Sequence, residues 1–238
     1  MKPQRVLAIG AHPFDVEVLC GGTLLRFKDA GAAISIAVLT DGAGGNAKMP
    51  MAREALAKQR RVHAQLAAGR LGAALHWLGI QDGLLFRGAE LRLRLIDVIR
   101  EARPGVAFIH RLDDFHPDNR EAGHIAAEAC VLAPLANLRT AHPPAQAVPV
   151  MYEMDSWIPL PREGSDYVEI AGVLQRKQQL VARNKLGVNW LKKFDGISIF
   201  ELVADNARGR GFESGTKYAE SFKLSARNII SRTTRVLP

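Results

Sequence analysis

Along this chain, short apolar runs alternate with longer stretches whose apolar residues recur every three or four positions. That is the pattern of strands buried on both faces alternating with amphipathic helices. The run within 5–10 predicts a first strand, and Val18, Leu19, Leu24, Leu25 and Phe27 predict a helix over 17–29 that Gly31 ends. Residues 34–39 predict a second strand, 51–69 a long Ala-rich helix, and 75–78 a short third strand followed by a turn at Gln81-Asp82-Gly83. A helix over 90–102 carries Leu91, Leu95, Ile96 and Ile99 on one side, with Arg92, Arg94 and Arg100 expected outside, until Pro104-Gly105 stops it. Residues 106–109 predict a fourth strand and 120–132 the helix after it. Beyond Pro134 the pattern changes to a strand over 150–153, a Pro-rich loop over 157–161, a helix over 170–184 and a short segment around Trp190. The tail 208–222 is expected to fold over the rim of a crevice, since Tyr218 and Phe222 would otherwise be exposed aromatics.

Strand and helix in alternation specify an α/β fold, Rossmann-like and doubly wound, with a mostly parallel sheet and helices on both faces. At 238 residues and 47% hydrophobic composition the chain suits one domain over 1–238. Residues 1–135 would form its core, and 136–238 would complete the sheet and cover the crevice. In such sheets, ligands bind beyond the carboxyl ends of the strands, and there the polar residues gather. His12, Asp15 and Glu17 follow the first strand, the loop Thr40-Asp41-Gly42-Ala-Gly-Gly-Asn46 the second, and His110, Asp113, Asp114, His116, Asp118 and Asn119 the fourth. The first and fourth strands are neighbours across the switch point of the common doubly wound order, so the two histidine-bearing clusters should face each other. His12 and Asp15, three apart across a turn, can point at one metal ion, because imidazole and carboxylate are ordinary zinc donors. Arg60, on the long helix, could anchor a substrate oxygen from the crevice end.

Other features narrow the class. The Gly-rich loop lacks the Lys-Ser/Thr of a phosphate-binding P-loop. No apolar run approaches the roughly 18 residues of a membrane span, and residues 1–5 lead into the first strand without a charged-then-apolar leader, so the expectation is a cytoplasmic protein. The two cysteines, Cys20 and Cys130, are too few for a disulfide framework and read as buried free thiols. The net charge of +8 lies wholly after residue 171, where thirteen Lys/Arg meet five Asp/Glu. That stretch has neither aromatic interleaving nor a DNA-binding motif, so no nucleic-acid partner is expected, and it reads mostly as a solvated face with an anionic surface as the lesser alternative. Association into a homo-oligomer is left open.

The two clusters carry a resemblance. Ala11-His-Pro-Phe-Asp-Val-Glu17 with Cys20-Gly-Gly-Thr23, and Asp114-Phe-His-Pro-Asp-Asn-Arg120, resemble the two signatures of the LmbE-like (PIG-L) N-deacetylases, Ala-His-Pro-Asp-Asp-Xaa-Glu with Gly-Gly-Thr and His-Pro-Asp-His-Arg. Thr40-Asp41-Gly42, Arg60, Leu71-Gly72, Val150-Met-Tyr152 and Tyr218-Ala-Glu-Ser-Phe222 also fall where that family has similar residues. The resemblance implies a zinc-dependent hydrolase that removes an acetyl group from an N-acetylated amino sugar or similar small molecule. It assigns His12, Asp15 and the position of Asn119 to the metal, and His116, oriented by Asp118, to the oxyanion or the leaving amine. Glu17 and Arg60 join the catalytic set, while Phe14, Asp41, His110 and Asp114 are expected to meet the substrate.

Four positions depart from the pattern. The family's general base is Phe14, its third zinc ligand is Asn119, the Glu three residues after the helix Arg is His63, and a later His is Ala182. An aromatic ring accepts no proton, and a neutral amide oxygen is a poor substitute for imidazole nitrogen. Either the chemistry survives in altered form, with Glu17, Asp114 or Asp118 as base and His63 or His116 completing a metal site, or the crevice binds a glycan-like ligand or a protein partner without turnover.

Overall fold

The computed structural model describes residues 4–44, 51–157, 165–228 and 237–238. Seven strands form one mixed sheet in the order β3-β2-β1-β4-β5-β7-β6. In chain order the elements are β1 (Arg5–Gly10), α1 (Asp15–Leu19), α2 (Gly21–Asp29), β2 (Ala33–Thr40), α3 (Arg53–Leu71), β3 (Ala74–Ile80), α4 (Ala89–Ala102) and β4 (Val106–Ile109). Then follow α5 (Pro117–Leu132), β5 (Val150–Met154), β6 (Ser165–Glu169), α6 (Leu174–Val181), α7 (Lys185–Trp190), α8 (Ile199–Ser214) and β7 (Ala219–Leu224). The five strands β3-β2-β1-β4-β5 are parallel, and β7 and β6 close the sheet antiparallel. β1 pairs β4 with Val6 opposite Val106, so the carboxyl ends of both strands open on the same edge, as expected from the sequence.

Side chains alternate along β1. Val6 and Ala8 pack with α2, α3, α6 and α8, whereas Leu7 and Ile9 pack with α4 and α5. Helices therefore cover both faces, which is why the parallel strands read as unbroken apolar runs. Cys20 and Cys130 are buried and free. Among the described residues no helix is long and apolar enough to cross a membrane.

The second half of the chain differs most from its pattern. The helix expected over 170–184 is a 3-10 turn followed by α6, which ends at Val181; the Asn184 side chain then accepts the Gly187 amide and starts α7. The tail 208–222 does not fold over a rim: it is the end of α8 and the strand β7, with the Phe222 ring centre 4.8 Å from that of Phe108 inside the core. Arg100 is not outside α4. Its guanidinium is buried and donates to the carbonyls of Ala133, Leu135 and Leu138, tying α4 to the segment that follows α5. Of the basic residues after 171, Arg176, Lys177, Arg208 and Arg210 are engaged in ion pairs, and Arg232 and Arg235 lie outside the described residues.

One long-range contact explains two of the quoted sequence matches together. Glu220 of β7 reaches the amino end of α2, where its carboxylate accepts the Gly22 amide at 2.9 Å, the Thr23 amide at 2.7 Å and the Thr23 hydroxyl at 2.6 Å. The buried Lys177 ammonium sits 2.6 Å from the same carboxylate. A Cβ at Gly22 would lie 2.8 Å from Ile170 Cγ2, so only glycine lets the helix end come this close.

Candidate functional site

The site begins where β1 runs out. After Gly10 the chain turns through 11–14, and Phe14 precedes α1 with φ 110° and ψ −22°, a conformation that costs a side-chain-bearing residue energy. Its buried ring is 5.7 Å from Trp157 and rests on Gly187 of α7, where a Cβ would come within 2.8 Å of it. The ring therefore packs against residues from the second half of the chain.

His12 stands between three carboxylates. Its Nδ1 is 3.3 Å from Asp15 Oδ2, while its Nε2 is 3.1 Å from Asp82 Oδ1 and 3.4 Å from Asp118 Oδ2. Burial pushes the imidazole down, but Asp118, Asp15 and Asp82 outweigh burial and hold it well above the ordinary histidine range. Among the described residues Nε2 is nonetheless buried without an aligned hydrogen bond, so the two oxygens near it lie off the direction of an N–H. A nitrogen and two carboxylate oxygens, all within 4.8 Å of one another, form a group able to hold a metal ion.

Each carboxylate is aimed by backbone amides. Asp118 accepts from Gly83 at 2.8 Å and Leu85 at 3.3 Å, and Asp82 accepts from Gly44 at 2.9 Å. Burial pushes both carboxyls up, yet the nearby His12 imidazole leads the effects that leave them lower than usual. Asp15 faces the other side of the His12 ring: its Oδ2 accepts the His12 amide at 2.7 Å and lies 3.1 Å from His110 Nε2, while its Oδ1 accepts the Trp157 indole N–H at 3.1 Å. Burial raises the Asp15 carboxyl, but His110 and His12 pull it well below the usual range, so it is ionised.

A cavity of about 310 Å³ opens beside this group, lined by His12, Phe14, Asp15, Arg60, Asp82, Phe115, His116, Asn119, Trp157, Gly187 and Trp190, among others. His116 meets His12 edge to face with ring centres 4.7 Å apart, so the two signature loops do converge. Burial and then the charge of His12 push the His116 imidazole below its ordinary range, leaving it neutral at neutral pH. His116 Nδ1 and Asn119 Oδ1 are both buried without a hydrogen-bond partner among the described residues.

Several expected site residues lie outside the cavity wall. His110 is fully buried behind Asp15, and its Nε2 also lies 3.0 Å from the Ala11 amide nitrogen. Asp114 accepts the His116 amide and the Asn119 side-chain N–H, which shapes the loop. Asp41 holds the next turn through the amides of Ala43 and Asp82 and an ion pair with Arg53. The Gly-rich loop beyond Gly44 lies outside the described residues, as does 158–161. Of the expected metal set, His12, Asp15 and Asn119, the first presents Nε2 to Asp82 and Asp118, while Asp15 occupies its Nδ1 side. Asp82 was read only as a turn residue; its signal was its place at the end of β3, beside β2. Phe115 and Trp157, in loops, and Trp190, at the end of α7, carry no signal in the sequence beyond being aromatic.

Glu17 is buried within α1 and does not line the cavity. Burial, reinforced by the charge of Asp15, pushes its carboxyl up to about 7. Between the ordinary glutamate value and 7, the unfolded carboxyl ionises while the folded one keeps its proton, so stability falls as pH rises through that window. Glu17→Gln is expected to be as stable as the parent at pH 4 and more stable at pH 8, by on the order of 3 kcal/mol. Urea melts at the two pH values check this, and an equal difference at both would mean that Glu17 ionises normally.

A family model described as PIG-L, GlcNAc-PI de-N-acetylase, matches residues 7–130. The chain belongs to this family. The matched region carries both signature loops, β1 through β4 and most of α5. A diacetylchitobiose deacetylase of Thermococcus kodakarensis is 33% identical to this PIG-L chain over 140 residues, covering 56% of the chain and 52% of the relative. A 4-oxalmesaconate hydratase of Pseudomonas putida is 30% identical over 138 residues, covering 55% of the chain and 54% of the relative. The chain thus spans about half the length of these curated relatives. The N,N'-diacetylchitobiose deacetylase structure from Pyrococcus horikoshii superposes with a TM-score of 0.81 over 98% of this chain and 88% of that one, at 22% identity, and so shares the fold.

Proposed function

We propose that this PIG-L protein hydrolyses the N-acyl bond of an acetylated amino sugar or a similar small molecule, with a zinc ion held by His12, Asp82 and Asp118. The observation that carries this is His12 Nε2: a buried imidazole nitrogen, without an aligned hydrogen bond, beside two carboxylate oxygens at the edge of an aromatic-walled cavity. One nitrogen and two oxygens are an ordinary donor set for zinc with a position left open. Bound there, zinc supplies a Lewis acid for an acyl oxygen and an acidified water.

The chain's own groups divide the remaining work. With the metal bound, Asp15, 3.3 Å from His12 Nδ1, would hold the imidazole proton on that nitrogen and leave Nε2 to the metal. With Phe14 unable to accept a proton, His116 takes the base role, since burial and the neighbouring charge of His12 favour its neutral form. Asn119 Oδ1 accepts the ligand amide N–H. Phe14, Trp157 and Trp190 offer apolar faces to a sugar ring and exclude water from it.

The test is metal content of the full chain purified without chelator, together with acetate release from N-acetylglucosamine and N,N'-diacetylchitobiose. About one equivalent of zinc and turnover that falls roughly 10²–10⁴-fold in His116→Ala are expected. Zinc-free protein without turnover on either substrate would defeat the hydrolase reading. In its place would stand a ligand-binding homologue, which the Phe14 ring at the family's base position favours.

A further inference from the structure

Arg60 lines the same cavity; burial disfavours its charge, and the carboxylates of Asp82 and Asp15 favour it from a distance without pairing with it. Its hydrogen bond runs from Nη1 to the neutral Asn184 Oδ1 at 3.3 Å, and its Nε is buried without a partner among the described residues. The negative charges in reach are committed elsewhere: Asp15 to His12, His110 and Trp157, and Asp82 to His12 and the Gly44 amide. The residue one helical turn on is His63, where the family pattern has a Glu, and the charges of Arg60 and Lys185 help burial push that imidazole down. Asn184 positions the arginine rigidly: its Oδ1 also accepts the Gly187 amide at 3.0 Å, and its Nδ2 donates to the Pro13 carbonyl at 3.5 Å. A desolvated, positioned cation at a cavity wall, without a counterion in contact among the described residues, is an arrangement that a ligand anion completes.

We propose that Arg60 makes this cavity selective for substrates that carry a carboxylate beside the N-acyl group, which it receives with its planar fork of donors. This rests on the cavity being the substrate site, as in the function proposed above, but not on turnover there. Calorimetric titration of the full chain with N-acetylmuramic acid and N-acetylglucosaminuronic acid, each against its own primary amide, tests it directly. At least one acid is expected to bind ten or more times tighter than its amide. Arg60→Met, which keeps the aliphatic stem, should erase that preference, and Arg60→Lys, which keeps the charge but loses the fork, should keep part of it. Equal affinity of both acids and their amides, or a preference that survives in Arg60→Met, overturns the proposal. Acetate release is scored separately: carboxylate preference without turnover upholds the role of Arg60 and defeats the hydrolase, and turnover without preference does the reverse.

Discussion

Asp82→Ala is expected to empty the cation site and to abolish turnover while leaving the fold intact. Asp82 sits in a turn and shares in the group through one oxygen, so its removal deletes a donor without opening a core cavity. Changing a group that merely orients a ligand typically costs 10–100-fold in metal affinity, so loss of a donor itself should exceed about 100-fold. Metal analysis after dialysis, with a thermal melt to show that the protein remains folded, checks the result. Asp15→Asn is the informative contrast. If Asp15 only orients His12, that variant keeps most of its metal. Should Asp15→Asn empty the site while Asp82→Ala leaves it full, the cation belongs to the set implied by the family signatures, and Asp82 is only a turn residue.

Glu220→Ala is the substitution expected to cost the most stability. It leaves the Lys177 ammonium buried without a counterion and strips the acceptor from two amides at the start of α2. Breaking a buried pair from one side typically costs about 3–5 kcal/mol, which in a chain of this size lowers Tm by roughly 6–20 °C. The double variant Lys177→Met with Glu220→Leu should recover part of that loss, because no charge is then stranded, although the helix end stays uncapped. A melt unchanged in Glu220→Ala would mean that water reaches both Lys177 and the helix end.

What the sequence revealed followed from how local each signal was. The strands β1, β2 and β4 were legible because both faces are covered, and their adjacency followed from the doubly wound order. The meeting of His12 and His116 came with it. The second half was harder to read: β6 and β7 join the sheet antiparallel at its edge, and α6 ends at Val181 before a side-chain cap at Asn184 starts α7, which apolar spacing does not register. The site was half legible for a similar reason. His12, Asp118 and Arg60 lie where strand ends and a helix deliver them, whereas Asp82 acquires meaning only once β3 is placed beside β2. Asp15 reads as a metal donor by its spacing to His12, but which nitrogen of the ring it faces, Nδ1, is a matter of orientation that spacing does not carry.

The packing of Phe14 on Gly187 couples two positions that are 173 residues apart in the chain. A methyl group at 187 would collide with the ring, and a shorter side chain at 14 would leave a void above the glycine. Restoring a carboxylate at 14 alone would therefore give the base a hollow rather than a mould. In diverging members of such a lineage, the two sites should drift as a matched set, with bulk on one side mirrored by its absence on the other.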